Sequence, residues 1–177
     1  MANFNISLHK TLIHEGGYSN DPDDRGGETY KGISRSTHKN WKGWDIIHKY
    51  KSKPGFPKNL EADIELQKEI EYLYRVNYWN PINGNSIMTQ SIADSIFDFG
   101  VNAGVKTSIR MVQSVLGTEE DGIIGPKTLV KLNSADTKLF HAAFTVKKIT
   151  YYISIIKKRP VNKKFLYGWI IRTLQFQ

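Results

Sequence analysis

Apolar residues Phe4, Leu8, Leu12 and Ile13 recur at roughly helical spacing, and Gly16-Gly17 supplies a natural stop. The chain then reads as loop up to Ser34, which is suited to cap a short helix carrying Trp41. Lys53-Pro54-Gly55-Phe56-Pro57 is the strongest punctuation in the sequence. A long helical pattern follows from about Leu60 to Trp79, with Ile64, Gln67, Ile70, Leu73, Tyr74 and Asn77 on one side, and Pro81 ends it. Ser91 caps a further candidate from Ile92 to Val101, broken by Asn102-Ala103-Gly104. Thr107 to Leu116 reads as a helix stopped by Gly117, and Pro126 opens a short one to Leu132. Asp136 starts the longest helical stretch, to about Lys157; Pro160 interrupts it, and Lys163 to Leu174 finishes the pattern. Strand signals are confined to short pieces around Tyr30 to Ile33, enough for a small β-hairpin. The expectation is a mainly α protein in two adjoining lobes divided near residue 90, spanning 1–90 and 91–177.

Composition adds three constraints. The 177 residues can bury a real core, and with no cysteine that core rests on packing, without disulfides or thiolate metal sites. The first residues, Met1-Ala2-Asn3-Phe4-Asn5-Ile6, lack a basic then apolar export pattern, and no apolar run is long enough to span a bilayer. The reading is a soluble protein made in the cytoplasm, without membrane insertion. The net charge of +8 is weighted toward the C-terminal half, where Lys147, Lys148, Lys157, Lys158, Arg159, Lys163 and Lys164 have few acids between them. Such an excess favours polyanions: nucleic acid, anionic membrane or anionic cell wall. For any single lysine a solvated face is the plainer reading.

The chemistry concentrates in the fifteen residues from Glu15 to Thr29. Glu15 sits where the first apolar-periodic stretch breaks. A carboxylate there faces the negative end of the helix macrodipole, a poor place for a charge and a useful one for a proton donor. Asp21, Asp23 and Asp24 follow in a turn-rich loop and are individually suited to turns and caps. Calcium is disfavoured: in a loop starting at Asp21, Arg25 and Gly32 occupy positions that need ligands. Zinc fails because Tyr18 stands where the helical His-Glu motif needs its second histidine. No Gly-x-Ser-x-Gly elbow is present and no thiol exists. No metal or cofactor is expected, and carboxylate chemistry is the reaction the residues favour.

Glu15-Gly16-Gly17-Tyr18, Asn20-Asp21-Pro22, Asp24-Arg25-Gly26-Gly27-Glu28-Thr29 and Gly32-Ile33-Ser34 together resemble the glycosyl hydrolase family 108 lysozymes, the N-acetylmuramidases of phages and bacteria. Ser34 replaces a more usual threonine and keeps the hydroxyl. Phage-type lysozymes space a Glu, an Asp and a Thr similarly. Here Glu15 and Asp24 keep the eight-residue gap, while Thr29 follows after four residues instead of five. Further along, Phe97-Asp98-Phe99-Gly100-Val101-Asn102-Ala103-Gly104, Asp121-Gly122-Ile123-Ile124-Gly125-Pro126-Lys127-Thr128 and Gly168-Trp169-Ile170-Ile171-Arg172 are similar to the peptidoglycan-binding segment that follows the catalytic one in this family.

The resemblance implies a lysozyme-like fold with a sugar cleft, peptidoglycan glycan strands as the partner, and cleavage of the β-1,4 bond between N-acetylmuramic acid and N-acetylglucosamine. It implies Glu15 as general acid, Asp24 as charge stabiliser or base, and Thr29 as an aid to water. Tyr18, Tyr30, Tyr74, Tyr78, Trp79, Asp98 and Asn102 are candidates for the cleft wall, with core packing an equal alternative for each aromatic. A monomer acting at the bacterial wall or periplasm is expected, reached through a holin or an export system. Two close variants carry the same likeness: a non-catalytic wall-binding or secretion-activator protein, and a lytic transglycosylase. A nucleic-acid partner for the basic half finds no reader motif, although Tyr151, Tyr152, Phe165 and Tyr167 lie among its cations.

Overall fold

The computed structural model describes residues 1–21 and 27–176. Among them are one small sheet and eight α-helices, in chain order α1 (Phe4–Leu12), α2 (Gly43–Tyr50), α3 (Ile64–Tyr74), α4 (Gln90–Ala103), α5 (Val105–Leu116), α6 (Pro126–Ser134), α7 (Thr137–Lys158) and α8 (Leu166–Gln175). By packing, the chain forms two compact units, Met1–Ser7 with Asn77–Gln177, and Leu8–Val76. No helix among the described residues is long and apolar enough to cross a membrane.

The unit from Leu8 to Val76 holds the sheet. Strands β1 (Tyr18–Ser19), β2 (Thr29–Tyr30) and β3 (Ile33–Ser34) pair antiparallel in that order, with Tyr18 opposite Tyr30 and Tyr30 opposite Ile33. The hairpin expected around Tyr30 to Ile33 is there, joined by Lys31 and Gly32, both at positive φ (45° and 74°). That is the backbone of a two-residue type I′ turn, whose twist matches the strands it joins. A third strand, β1, adds to the hairpin.

Ser34 does not cap a helix. It belongs to β3, and its hydroxyl bonds those of Ser36 and Thr37 at 3.0 and 2.9 Å, closing a hydroxyl-rich turn. The helix it was expected to open starts only at Gly43, beyond Trp41. The pattern from Leu60 to Trp79 likewise divides. Residues Lys58–Ala62 form a 3₁₀ turn, and α3 starts at Ile64, where the Asp63 carboxylate accepts from Leu66 N–H at 2.7 Å. Beyond Tyr74 the backbone loosens into a π-helical turn, Arg75–Trp79.

In the other unit α4 is the centre. Nine consecutive residues, Ile92 to Gly100, are buried, so this helix has no solvent face over two turns. Phe4 meets Trp79 and Phe97 edge-on at 5.7 and 6.0 Å, and Phe99 meets Phe144 and Tyr152 at 5.9 and 6.0 Å. Polar residues recur along α4 at Ser91, Asp94, Ser95, Asp98 and Asn102. Buried polar groups need partners, and each has one. Ser91 bonds His141 at 2.9 Å, Asp94 accepts from Ser7 at 2.6 Å, and Ser95 accepts from Lys148 at 2.7 Å. Asp98 takes Arg172 through two nitrogens at 2.8–3.0 Å, and Asn102 donates to Tyr152 at 2.7 Å.

The helix ends follow local chemistry. Gly104 and Gly117 stop α4 and α5 at positive φ (92° and 59°), which a side chain adopts only under strain. Pro126 occupies the first turn of α6, and the Asp136 carboxylate caps α7 by accepting from Leu139 N–H at 2.9 Å.

Lys148 is the exception in this core. It is 1% exposed, bonded to one hydroxyl, and its ammonium lies 4.6 Å from the Phe144 ring centre. Burial pulls its pKa down to about 8, the Asp98 charge pulling the other way and Arg172 adding to the fall. Unfolded, the same lysine titrates near 10.5. Between these values the unfolded chain holds a proton that the folded one has released, so stability rises with pH across that window. A series of melts from pH 7 to 10.5 is expected to show this rise, on the order of 3 kcal/mol at most, and Lys148→Met is expected to flatten it.

Candidate functional site

Glu15 stands just beyond α1. His14 N–H donates to Thr11 C=O at 3.0 Å and Glu15 N–H to Leu12 C=O at 3.2 Å, so the chain tightens into a last short turn before Gly16. The carboxyl is half-buried and turned toward the hairpin turn. A methyl group built on Gly32 would lie 2.5 Å from Glu15 Oε2 and 2.9 Å from the Tyr74 hydroxyl. Both side chains therefore occupy the space that any other residue at 32 would need. Tyr74, on the last turn of α3, donates to Lys31 C=O at 2.8 Å and ties the turn to that helix. The Lys31 ammonium is held by Glu61 at 2.6 Å and Gln67 at 3.0 Å.

A second cluster, which the sequence did not single out, surrounds Glu28. It is 6% exposed and receives Lys51 at 2.8 Å, Arg35 at 3.3 Å and the Tyr18 hydroxyl at 2.9 Å. Burial works to raise its pKa, but the bonds from Lys51 and Tyr18 and the charges of Lys51 and Arg35 outweigh it, holding the carboxyl below the usual glutamate range. Tyr18 is thereby fixed on both sides, since its ring also meets Phe56 edge-on at 4.7 Å. Burial, followed by the adjacent Glu28 charge, pushes the Tyr18 phenol up. In the sequence Glu28 is marked only by its place inside the Asp24–Thr29 motif; its three partners lie 7, 10 and 23 positions away along the chain.

Beside this cluster is an open pocket of about 740 Å³, lined by Gly27, Glu28, Arg35, Lys39, Trp41 and Trp44 among others. The two indoles meet edge-on at 5.0 Å, and the Arg35 guanidinium lies 5.0 Å from the Trp44 ring centre. Flat rings beside charged groups can hold a sugar, but no residue of this pocket except Gly27 and Glu28 falls within the motif.

The remaining candidates separate clearly. Asp24 lies outside the described residues. Thr29 is in β2, its hydroxyl donating to Gly27 C=O at 3.2 Å. Tyr30 is 1% exposed; its hydroxyl bonds Glu61 at 3.3 Å, and burial drives its pKa up to about 12 against a lowering bond with Gln67. Tyr30 is a core residue, on the opposite face of the strand from Thr29. Trp79 is fully buried, donating to Asn85 at 2.7 Å, and packs within the other unit, as do Asp98 and Asn102 with the partners given above. Tyr78 is half-buried in the π-helical turn. Glu15 and Tyr74 are thus brought to one point, Tyr18 and Thr29 lie on the same small sheet, and Tyr30, Trp79, Asp98 and Asn102 have structural surroundings.

The fold is mainly α and lysozyme-like. It belongs to the glycosyl hydrolase 108 family, whose model matches residues 8–104, more than half of the sequence. The model of the predicted peptidoglycan domain matches residues 107–174. No curated protein matches the chain. Among solved structures, Brucella abortus SagA is similar over 98% of this chain and 90% of its own, with a TM-score of 0.71 and 24% identity, a likeness of fold.

Two substitutions test the geometry. Gly32→Ala adds a methyl where Glu15 and Tyr74 already sit, at a positive φ, and is expected to cost at least about 1 kcal/mol of stability, read as a lowered melting temperature. Glu28→Gln keeps the shape but removes the charge facing Lys51 and Arg35. It is expected to lower stability by about 1–3 kcal/mol at neutral pH. Because the Glu28 pKa is depressed on folding, that difference should be full above pH 4.5 and shrink as acid protonates the wild-type carboxyl. Paired melts between pH 3 and 7 measure it.

Proposed function

We propose that this protein is a peptidoglycan hydrolase of the lysozyme type, an N-acetylmuramidase that cleaves the β-1,4 bond between N-acetylmuramic acid and N-acetylglucosamine with Glu15 as general acid. The observation that carries this reading is the seat of Glu15. Its carboxyl is half-buried against Gly32 and the Tyr74 hydroxyl, held by chain on two sides. Membership of a glycosyl hydrolase family and the match to a peptidoglycan domain supply the substrate class.

In this reading the Glu15 proton passes to the glycosidic oxygen as its bond to the muramic acid anomeric carbon breaks. The sugar gains oxocarbenium character, which a nearby carboxylate stabilises. Asp24 is the second acid, separated from Glu15 by eight residues. It either faces the developing positive charge or takes the proton of the attacking water. Thr29, whose hydroxyl donates to Gly27 C=O, helps orient that water in this reading. Tyr18, fixed by Glu28 and Phe56, supplies a ring for the flat face of a pyranose.

Purified peptidoglycan incubated with the protein is expected to release new reducing ends. Glu15→Gln should lower that rate by about 10²–10⁴-fold while co-sedimentation with the wall is kept. Products ending in anhydro-sugars would make the enzyme a lytic transglycosylase. Binding by the wild type without any new ends would make it a non-catalytic wall-binding protein. Either result overturns the proposal.

A further inference from the structure

From Thr137 to the last residue the sequence holds nine lysines and arginines and no aspartate or glutamate. The 136 residues before it hold sixteen cations and seventeen acids. The positive excess of this protein therefore resides entirely in α7, the turn after it, and α8. Two of the nine cations face inward: Lys148 is buried, and Arg172 is bonded to Asp98. Five of the others, Lys157, Lys158, Arg159, Lys163 and Lys164, cluster at the α7–α8 turn and are exposed. None of these five forms a salt bridge with an acid among the described residues.

An apolar surface accompanies them. α8 is held from one side: Trp169 stacks on Tyr152 at 4.9 Å, and Thr173 and Phe176 are buried. Its other side is bare. Tyr167, Ile171 and Leu174, at helical spacing and so on one face, are 79%, 40% and 51% exposed. Val161 and Phe165 extend that surface into the turn, also exposed.

Lysines on a solvated surface are ordinary, and so is a single exposed leucine. A bare apolar helix face joined to a cation cluster without any acid is a different combination, the pattern of a segment that lies in a membrane interface. Lipid phosphates would take the five cations, and the acyl boundary would take Tyr167, Ile171 and Leu174. Each rival surface meets only part of this. Peptidoglycan offers anions without an apolar layer. Nucleic acid could stack on Tyr167 but gives nothing to Ile171 and Leu174. A second copy would bring like charges together.

We propose that the α7–α8 turn and the outer face of α8 dock on an anionic phospholipid surface. The cations supply long-range attraction and the apolar face shallow burial, without a spanning segment. The helix stays on the surface, with its inner side still packed on α7.

The test is co-sedimentation of the full chain with vesicles of phosphatidylcholine alone or mixed equally with phosphatidylglycerol, at low salt. Binding to the mixed vesicles is expected to exceed that to neutral ones by at least tenfold. Reversing Lys157, Lys158, Lys163 and Lys164 to glutamate should abolish it, each charge being worth about fivefold. Replacing Tyr167, Ile171 and Leu174 together by serine should weaken it about tenfold or more, with circular dichroism and melting confirming that the fold is kept. Several outcomes overturn the proposal: no binding of the wild type to anionic vesicles, binding that the serine variant keeps in full, retention on lipid-free peptidoglycan or DNA without vesicle binding, or a self-association that the serine variant loses in place of vesicle binding. The readout does not use glycan cleavage, so it stands or falls apart from Glu15.

Discussion

Three stretches of chain converge on one residue that has no side chain. The end of the first helix brings Glu15, the hairpin brings Gly32, and the last turn of α3 brings Tyr74. Volume exclusion sets this arrangement more firmly than any single hydrogen bond could, because the carboxyl and the phenol already fill the space a Cβ would take. The turn also needs positive φ at two successive residues, and Gly32 meets both demands at once. Once the hairpin is seated, β1 pairs along it, and Tyr18 is presented from the same sheet. Where the acid sits is therefore a consequence of how closely two side chains can approach a bare Cα.

A different constraint rules the unit built around α4. A helix buried all round must satisfy every polar group it carries, and α4 carries six, counting Gln90, which donates to Ser7 and Asp94. Its partners come from α1, α7 and α8, so the polar stripe fixes the rotation of α4 against each of them. Asp98 and Asn102 acquire their meaning here. With Arg172 gripping one and Tyr152 accepting from the other, they hold helices together. Lys148 shows the limit of such a network: it has one hydroxyl and two ring faces, and burial shifts its protonation.

Punctuation was the part of this fold most legible in the sequence. Gly104, Gly117, Pro126 and Asp136 act through their own backbone geometry or a bond three residues away, so each could be read in place. Ser34 misled because a hydroxyl suits a turn as well as a cap, and pairing with Thr29 decided between them. Asp63 is hard to read as a cap because the apolar pattern continues past it on both sides. Glu15 stood out from its motif, whereas its contact with Gly32 did not, since seventeen positions and a strand reversal separate the two. Glu28 and Asp98 were beyond reach for the same reason: their cations arrive from distant elements, and only folding reveals which acid is paired.

The boundary between the two family-matched stretches, at residues 104–107, falls between the helices that pack most extensively on each other, α4 and α5. Ser108 donates back to Ile96 C=O at 2.8 Å, and Phe144, Lys148, Tyr152 and Arg172 all find their partners on α4. Excising the downstream stretch as a cassette would strip these groups of their counterparts. Phe4 and Ser7, from the opposite end of the chain, would go missing with them. Two family models meet here, but the folded unit is continuous across that seam, and a transplantable module would have to carry the first seven residues and everything from Asn77 onward.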